Sequence, residues 1–511
     1  MKTVLVLNMG MKSIRSIIFR ADGQKLSQAA LPLTSAINDM RVEQDASEWW
    51  EKALVVMGKS IREAGIKQLD AITVTASASC LVCLDEEGQP LAPVMMVSDK
   101  RAQAEAEAIS RMPEFAEARE KTHLSMSSSL LLPKILWVKR QAEAIFGKTT
   151  YFLTPNAFLL YRLCGKPVTD CLDAGKFHYD QTTKKYPQKL LQSLGIRLDS
   201  LPEVVAIGDV AGDLLEDIKN RLGIGGKINV VASSYDAICS FFGSGAVEEG
   251  EASDVSGTVT VFRTISYKSG NLGIESKVYE SLYEAENARI VGGSNNLGGG
   301  LIEWAKQCYY QNEPYPYEVM EKEAAEVDVG AKGLIFLPYL LGERAPIWND
   351  DARGVFFGLE RMHTRKDMTR AVFESAGFID MDMKNAIEEA GIKIKQVRLS
   401  GGLARLNLVS QIKADILGVD VLVLSEFETT STGAAMLALI GIDYFHSIQE
   451  AAENFVRVRM IIKPDMENHR KYQHVYNLYK STYEVLQPLY KKRIQMLEAL
   501  RTDREVYIEN L

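Results

Sequence analysis

Ile228-Asn-Val-Val-Ala-Ser-Ser-Tyr-Asp236-Ala-Ile-Cys-Ser-Phe-Phe-Gly243 is the stretch on which the reading turns. Its apolar start reads as a buried strand, Ser233 and Ser234 follow, and one carboxylate, Asp236, then opens an apolar helical run. Downstream, Asp254-Val-Ser-Gly-Thr258 lies between two strand-like segments. A Gly/Ser/Thr turn of that kind can wrap phosphate oxygens with backbone N–H groups. A lone acid beside such a turn suits transfer of a phosphoryl group to a hydroxyl. Taken by itself, Asp236 serves equally well as a helix N-cap.

Working outward, residues 4–7 and 14–19 read as strands around a turn, and Asp22-Gly23 closes the second with a hairpin signal. Helical periodicity covers 47–64, 100–109, 132–146, 301–309 and 368–385, and strands are predicted over 71–74 and 81–84. Alternating strands and helices indicate an α/β fold. The polar turn at 8–13 and the turn at 256–258 look like one device used twice, which suggests two related domains with a ligand between them. Gly292-Gly-Ser-Asn-Asn-Leu-Gly-Gly-Gly300 reads either as a ligand-touching loop or as an ordinary helix entry. Gly401-Gly402 follows another strand, where two glycines would let backbone approach a flat ligand. Beyond His469 the chain becomes a long polar helix with a partial stripe of Val475, Leu478, Tyr479, Leu486, Leu489, Tyr490 and Ile494, interrupted by Pro488.

With 511 residues the chain can form two or three domains with a sizeable core. A net charge of -8 leaves no broad basic field for nucleic acid or an anionic membrane. No apolar run is long enough to span a bilayer, and the apolar start of the chain is too short for a signal peptide. Six scattered cysteines fit reduced thiols and a cytoplasmic location. Cys80 and Cys83 share a strand-like segment, where positions three apart face opposite ways, so they read as two buried thiols and not as a metal or redox pair. None of the histidines pairs with a cysteine at zinc-ligand spacing. The sequence sets no oligomer size, and a homodimer is compatible with it.

These segments together resemble the FGGY carbohydrate kinases. The resemblance rests on Glu43-Gln-Asp45 with Trp49-Trp50, Leu84 to Pro93 with Ser98-Asp99-Lys-Arg101, Pro133-Lys-Ile-Leu-Trp137, Thr169-Asp170 and Tyr235-Asp236-Ala237. It continues through Ser256-Gly257-Thr258, Pro338-Tyr-Leu with Gly342-Glu-Arg-Ala-Pro346, Gly401-Gly402, Gln411 with Ala414-Asp415, and Thr432-Gly-Ala-Ala435. It implies two actin-like, ribonuclease H-like domains with a cleft between them, plus a C-terminal helical segment. The divisions expected are 1–245 (sugar side and catalytic base), 246–445 (nucleotide side) and 446–511 (helical).

By the same resemblance, Asp236 would be the general base. Ser79, Asp99, Arg101, Asp170 and Asp236 would line the sugar side, although buried ion pairing explains Asp99, Arg101 and Asp170 almost as well. Gly10, Lys12, Ser13, Ser256, Gly257 and Thr258 would bind the phosphates of ATP. Gly401, Gly402 and Asn407 would border the adenine. Glu343 and Arg344 read as a structural pair. ATP and Mg2+ are the implied cofactors and a small sugar the partner.

Two departures from the family pattern stand out. The first loop usually reads Asp-x-Gly-Thr, and here it is Asn8-Met9-Gly10-Met11 followed by Lys12. Asn8 replaces an acid that helps hold magnesium through water, and an amide there can accept a hydrogen bond but brings no charge. Lys12 could compensate; otherwise the kinase is weak or phosphate binding is lost. The sugar strand reads Thr75-Ala-Ser-Ala-Ser79-Cys80, with Ser79 where relatives carry histidine or glutamate. The spacing looks most like the xylulose kinase branch, so D-xylulose is the expected acceptor. D-ribulose, gluconate and polyols are the alternatives, and a non-catalytic sugar- or nucleotide-binding regulator is a reading from a different class.

Overall fold

The computed structural model describes residues 1–268, 277–283 and 286–509, with side chains through residue 500. The first half builds a six-stranded sheet in the order Val210–Asp213, Asn229–Ala232, Ala71–Ala76, Thr3–Met9, Ser13–Arg20, Lys25–Pro32. The three strands Asn229–Ala232, Ala71–Ala76 and Thr3–Met9 run parallel, and the flanking strands pair antiparallel. Every residue of Ala71–Ala76 is buried, as expected where helices cover both faces of a parallel sheet. Leu5 and Leu7 pack on one side with Trp49 and Phe158, and Val4 and Val6 on the other with Phe241, Phe242 and Leu437. The helix Ala46–Ala64 closes the first face. Asp45 caps it by accepting from the Ser47 N–H at 2.8 Å, and Gly65 ends it in the left-handed region.

The second half repeats the plan in a seven-stranded sheet, in the order Tyr279–Tyr283, Ala288–Ser294, Thr260–Ser266, Glu251–Ser256, Gln396–Gly401, Asp420–Leu424, Val458–Ile462. The hairpin Glu251–Ser256/Thr260–Ser266 corresponds to Thr3–Met9/Ser13–Arg20, and each first strand takes a parallel partner on its other edge. The twice-used turn is therefore real as backbone topology.

The halves are joined by two helices that cross at glycine. Asp236–Gly243 and Thr429–Gly441 belong to different halves of the sequence yet share one core with the first sheet. A Cβ on Gly243 would lie 1.9 Å from the Thr429 carbonyl, and one on Gly433 would lie 1.9 Å from the Cys239 carbonyl. Only backbone fits at that crossing.

Three expectations need correction. The segment after residue 445 is not only helical: after the helix Ile448–Phe455, the strand Val458–Ile462 completes the edge of the second sheet before the helix Met466–Glu509 begins. On that last helix the buried face is made of tyrosines 472, 476, 479, 483 and 490, whereas Leu478 and Leu489 are 45% and 50% exposed. Tyr476 donates to Asp382 at 2.6 Å and Tyr472 to Glu374 at 3.0 Å, so the tyrosines bury area while satisfying carboxylates within the core. Residues 132–146 form two helices, Leu131–Gln141 and Glu143–Lys148, broken at Ala142. The two cysteines follow expectation. Cys80 and Cys83 lie in different apolar clusters, and burial pushes their thiols up to about 11 and about 12.

Candidate active site

The site forms where parallel strands of both sheets end, the usual place for ligands in α/β folds. The strand Thr3–Met9 runs into the first turn, which Gly10 closes by donating to the Ser13 carbonyl at 3.0 Å. Ser77 N–H, at the end of the neighbouring strand, donates to the Met9 carbonyl at 3.1 Å. Asn229–Ala232 then delivers Ser233, Ser234 and Tyr235, with Asp236 as the first residue of its helix.

Tyr235, not Asp236, holds the N-cap position. The half-buried Asp236 carboxylate accepts from its neighbour Ala237 N–H at 2.7 Å and from Ser77 Oγ at 3.2 Å. Burial raises its pKa, opposed by those two donors and by the charge of Arg263. Arg263 comes from the second half and is pinned by donating to the Ala237 carbonyl at 2.6 Å. Arg344 lies close enough for its charge to act on Arg263 and on Tyr279, and its buried Nε has no partner among the described residues. A carboxylate with a raised pKa thus faces a small cationic group across the junction of the two halves.

The second turn is exposed at Gly257 and Thr258. The glycine-rich stretch folds beneath it: Gly298 and Gly300 donate to the Thr258 carbonyl at 2.9 and 3.1 Å, and Gly299 to the Gly257 carbonyl at 2.8 Å. A Cβ on Gly298 would lie 2.1 Å from Thr260 Oγ1. Those glycines therefore support the turn.

Ser256 corrects an expectation. Its hydroxyl points inward, donating to Asp254 at 2.6 Å and accepting from Lys413 at 2.9 Å. Lys413 also pairs with Asp254 and, at 2.7 Å, with Asp380, all three fully buried. Burial and the charge of Asp254 favour protonation of Asp380. Ser256 thus anchors the turn from below and has no hydroxyl left for a phosphate.

Gly401 is also explained by protein and not by ligand. Its φ is 85°, and a Cβ there would sit 2.5 Å from the Ser256 carbonyl. Gly402 and Asn407 are exposed beside it, and Glu321 accepts from the Leu408 N–H at 2.9 Å at the start of the helix Asn407–Leu417.

On the sugar side most polar groups are already engaged. Asp99 accepts from Arg101 Nε at 2.9 Å and from Val42 N–H at 2.8 Å, and Arg101 also reaches Glu43 at 2.7 Å and stacks 5.0 Å over Trp137. Asp170 accepts from Leu172 N–H, Asp173 N–H and Ser234 Oγ at 2.9, 3.2 and 2.8 Å. Burial, reinforced by Asp173, raises its pKa. Asp99 and Asp170, at 0% and 2% exposure, are thus held by protein donors in this structure. Ser79 is buried with φ 63°, and its carbonyl accepts from Lys134 at 2.6 Å. Within that stretch it is Ser77 that reaches Asp236.

In the first turn Lys12 is exposed, Ser13 Oγ accepts from Arg15 at 3.2 Å, and Met11 packs against the first core. Asn8 Nδ2 donates to Glu428 Oε1 at 3.1 Å and Ser431 Oγ at 2.9 Å, both from the second half. Glu343 and Arg344 do not pair with each other through their side chains: Glu343 accepts backbone N–H groups of Asn296 and Arg344, and Arg344 donates to the Asn295 carbonyl at 2.6 Å. Sequence reasoning missed Ser77, Arg263 and Glu428. Arg263 carried a signal, being a cation in the otherwise apolar run Val259-Thr-Val-Phe-Arg263.

Comparisons with known proteins agree with this architecture. Profiles of the FGGY family of carbohydrate kinases match over residues 3–243 (N-terminal domain) and 255–442 (C-terminal domain). A xylulose kinase of Staphylococcus xylosus is 27% identical over 486 residues, covering 95% of this chain and 100% of the relative. A gluconokinase of Bacillus subtilis is 25% identical over 462 residues, covering 88% and 90%. Among solved structures, a gluconate kinase from Lactobacillus acidophilus superposes with a TM-score of 0.89 at 23% identity, covering 96% of this chain and 99% of that one. The ligand-bound xylulose kinase from the same organism gives 0.89 at 23%, covering 96% and 100%. With both family profiles matched in order across most of its length, the chain belongs to the FGGY family of carbohydrate kinases.

Proposed function

We propose that the protein transfers the γ-phosphoryl group of ATP to a hydroxyl of a small sugar, with a pentulose such as D-xylulose as the acceptor. The observation that carries this is Asp236: a half-buried carboxylate of raised pKa at the junction of the halves, beside Arg263 and between two polar turns. Asp236 takes the proton of the attacking hydroxyl while the sugar oxygen bonds to phosphorus and ADP departs. Ser77 and the Ala237 N–H fix the orientation of the carboxylate. Gly10, Lys12, Ser13, Gly257 and Thr258 hold phosphates, and Gly402 and Asn407 border the base. Residues 1–245 carry the sugar side and residues 246–445 the nucleotide side; within the C-terminal segment 446–511, the tyrosine face of the last helix packs on the second half. Magnesium, when bound with ATP, neutralises charge on the transferring phosphates; Asn8 and the neighbouring Glu428 are the residues that fit it. The scattered cysteines go with a cytoplasmic location, and no helix among the described residues is long and apolar enough to cross a membrane.

A second acceptor class has its own support. Arg263 beside Asp236, with Arg344 near Arg263, would suit a carboxylate-bearing sugar such as gluconate, and a gluconokinase is among the relatives. A screen of ADP release over pentuloses, hexonates and polyols with ATP and magnesium decides between them. Xylulose-dependent release is the expected result; release by gluconate alone selects the second reading. No release with any acceptor would favour the non-catalytic regulator that Asn8 and Met11 suggest.

A further inference from the structure

Glu428 is a carboxylate that protein contacts leave half satisfied. It holds the N-cap position of the helix Thr429–Gly441. On one side Asn8 Nδ2, from the first strand, donates to Glu428 Oε1 at 3.1 Å. On the other, Gly401 N–H donates to the carbonyl of the adjacent Phe427 at 3.2 Å, which ties Glu428 to the glycine pair and through it to Ser256. Its second oxygen, Oε2, is buried and has no hydrogen-bond partner among the described residues. A carboxylate oxygen left without a donor is open to a positive group supplied from outside the chain.

The direction of the Asn8 contact matters. The amide donates, so the charge at this point resides on Glu428 and not on the first strand. Among the described residues no group of three or more His, Cys, Asp or Glu side chains could hold a metal. A single carboxylate beside phosphate-binding turns is instead the setting for Mg2+, which keeps much of its water and takes one or two protein carboxylates together with substrate phosphates. Resting on the nucleotide reading above, we propose that Glu428 is the carboxylate that holds the nucleotide's magnesium, and that Asn8 is a positioning residue that clamps it by donating to Oε1. The negative charge missing from the first turn is thereby provided from the second half of the chain.

The test uses calorimetric titration of ADP into the full-length protein, with Mg2+ and again with EDTA, so it does not depend on turnover. Glu428→Gln keeps an acceptor for Asn8 and removes the charge. It should leave metal-free ADP affinity unchanged and reduce the Mg2+ enhancement about tenfold, a usual size for coupling between neighbouring ligands. Asn8→Asp combined with Glu428→Gln returns a charge to the other end of the same contact and should restore most of the enhancement. Asn8→Ala alone removes the donor while keeping Glu428, and should lower the enhancement part of the way, which decides the matter if Glu428→Gln does not fold. An unchanged Mg2+ enhancement in Glu428→Gln, or in Asn8→Ala, overturns the proposal. Failure of the parent to bind ADP in either buffer overturns the nucleotide reading itself, and the proposal with it.

Discussion

Gly433→Ala tests whether the glycine crossing joins the two halves. A Cβ at Gly433 would lie 1.9 Å from the Cys239 carbonyl oxygen, 2.6 Å from the Gly243 nitrogen and 2.8 Å from the Cys239 carbonyl carbon. All three are backbone atoms, so no side chain can swing aside and the helices must separate. Overpacking of this kind costs typically about 1–3 kcal/mol, and a clash with rigid backbone belongs at the upper end. Replacing a helical glycine by alanine returns roughly 0.5–1 kcal/mol through lower chain entropy. The net loss is about 2 kcal/mol. For a domain of 150–250 residues that corresponds to a fall in Tm of about 4–8 °C. Because Asp236 opens one of the crossing helices, kcat should fall in the same variant. Differential scanning fluorimetry with ADP-release kinetics reads both effects. Gly147→Ala is the control: a Cβ added to that exposed helical glycine would meet nothing within 4 Å, so the change should be neutral or slightly stabilising. A Gly433→Ala protein that melts at or above the parent temperature would refute the reasoning.

Arg263→Met removes the cation that opposes the raised pKa of Asp236, so the acidic limb of kcat/KM should move to higher pH; an unmoved profile would separate the two groups. Asp236 works as the ionised base, so activity should be lost as pH falls through its pKa. Ser256→Ala should lower Tm by removing a buried hydroxyl from the Lys413 network, with little change in KM for ATP; a large rise in that KM would return the hydroxyl to the phosphate site. Lys413→Met leaves Asp254 and Asp380 without their cation and should destabilise by about 3–5 kcal/mol, seen as loss of soluble protein or a steep drop in Tm. Asp170 has a folded pKa raised by burial, so its contribution to stability is complete at low pH and fades as pH rises through that pKa; Asp170→Asn should flatten the pH dependence of Tm in that window.

The backbone plan was readable because its signals are local. The strand at 229–232, the paired turns and the helix at 46–64 follow from apolar runs and caps that need no knowledge of the partner strand. Asp236 was readable for the same reason, as a lone acid at a strand-to-helix junction. What the sequence hid is long-range pairing. Ser256 and Gly401 suit a phosphate turn and a nucleotide border by residue type, but Ser256 is claimed by Lys413, distant in the chain, and Gly401 by the backbone of Ser256. Asp99 and Arg101 show the same limit, since a charged pair two residues apart can face a ligand or each other, and burial decided for each other. The tyrosine face of the last helix was missed because aliphatic counting discards a residue that is apolar along its ring and polar at its tip. Glu428 gave no local sign; its meaning comes from Asn8, which reaches it across the cleft.

Replacing Asp236 by asparagine tests the central claim most directly. Sugar-dependent ADP release by Asp236→Asn should fall by about 10²–10⁴-fold, the usual contribution of a positioned general base, with ADP binding by calorimetry close to that of the parent. A variant that phosphorylates its sugar at the parent rate would contradict the role given to this carboxylate.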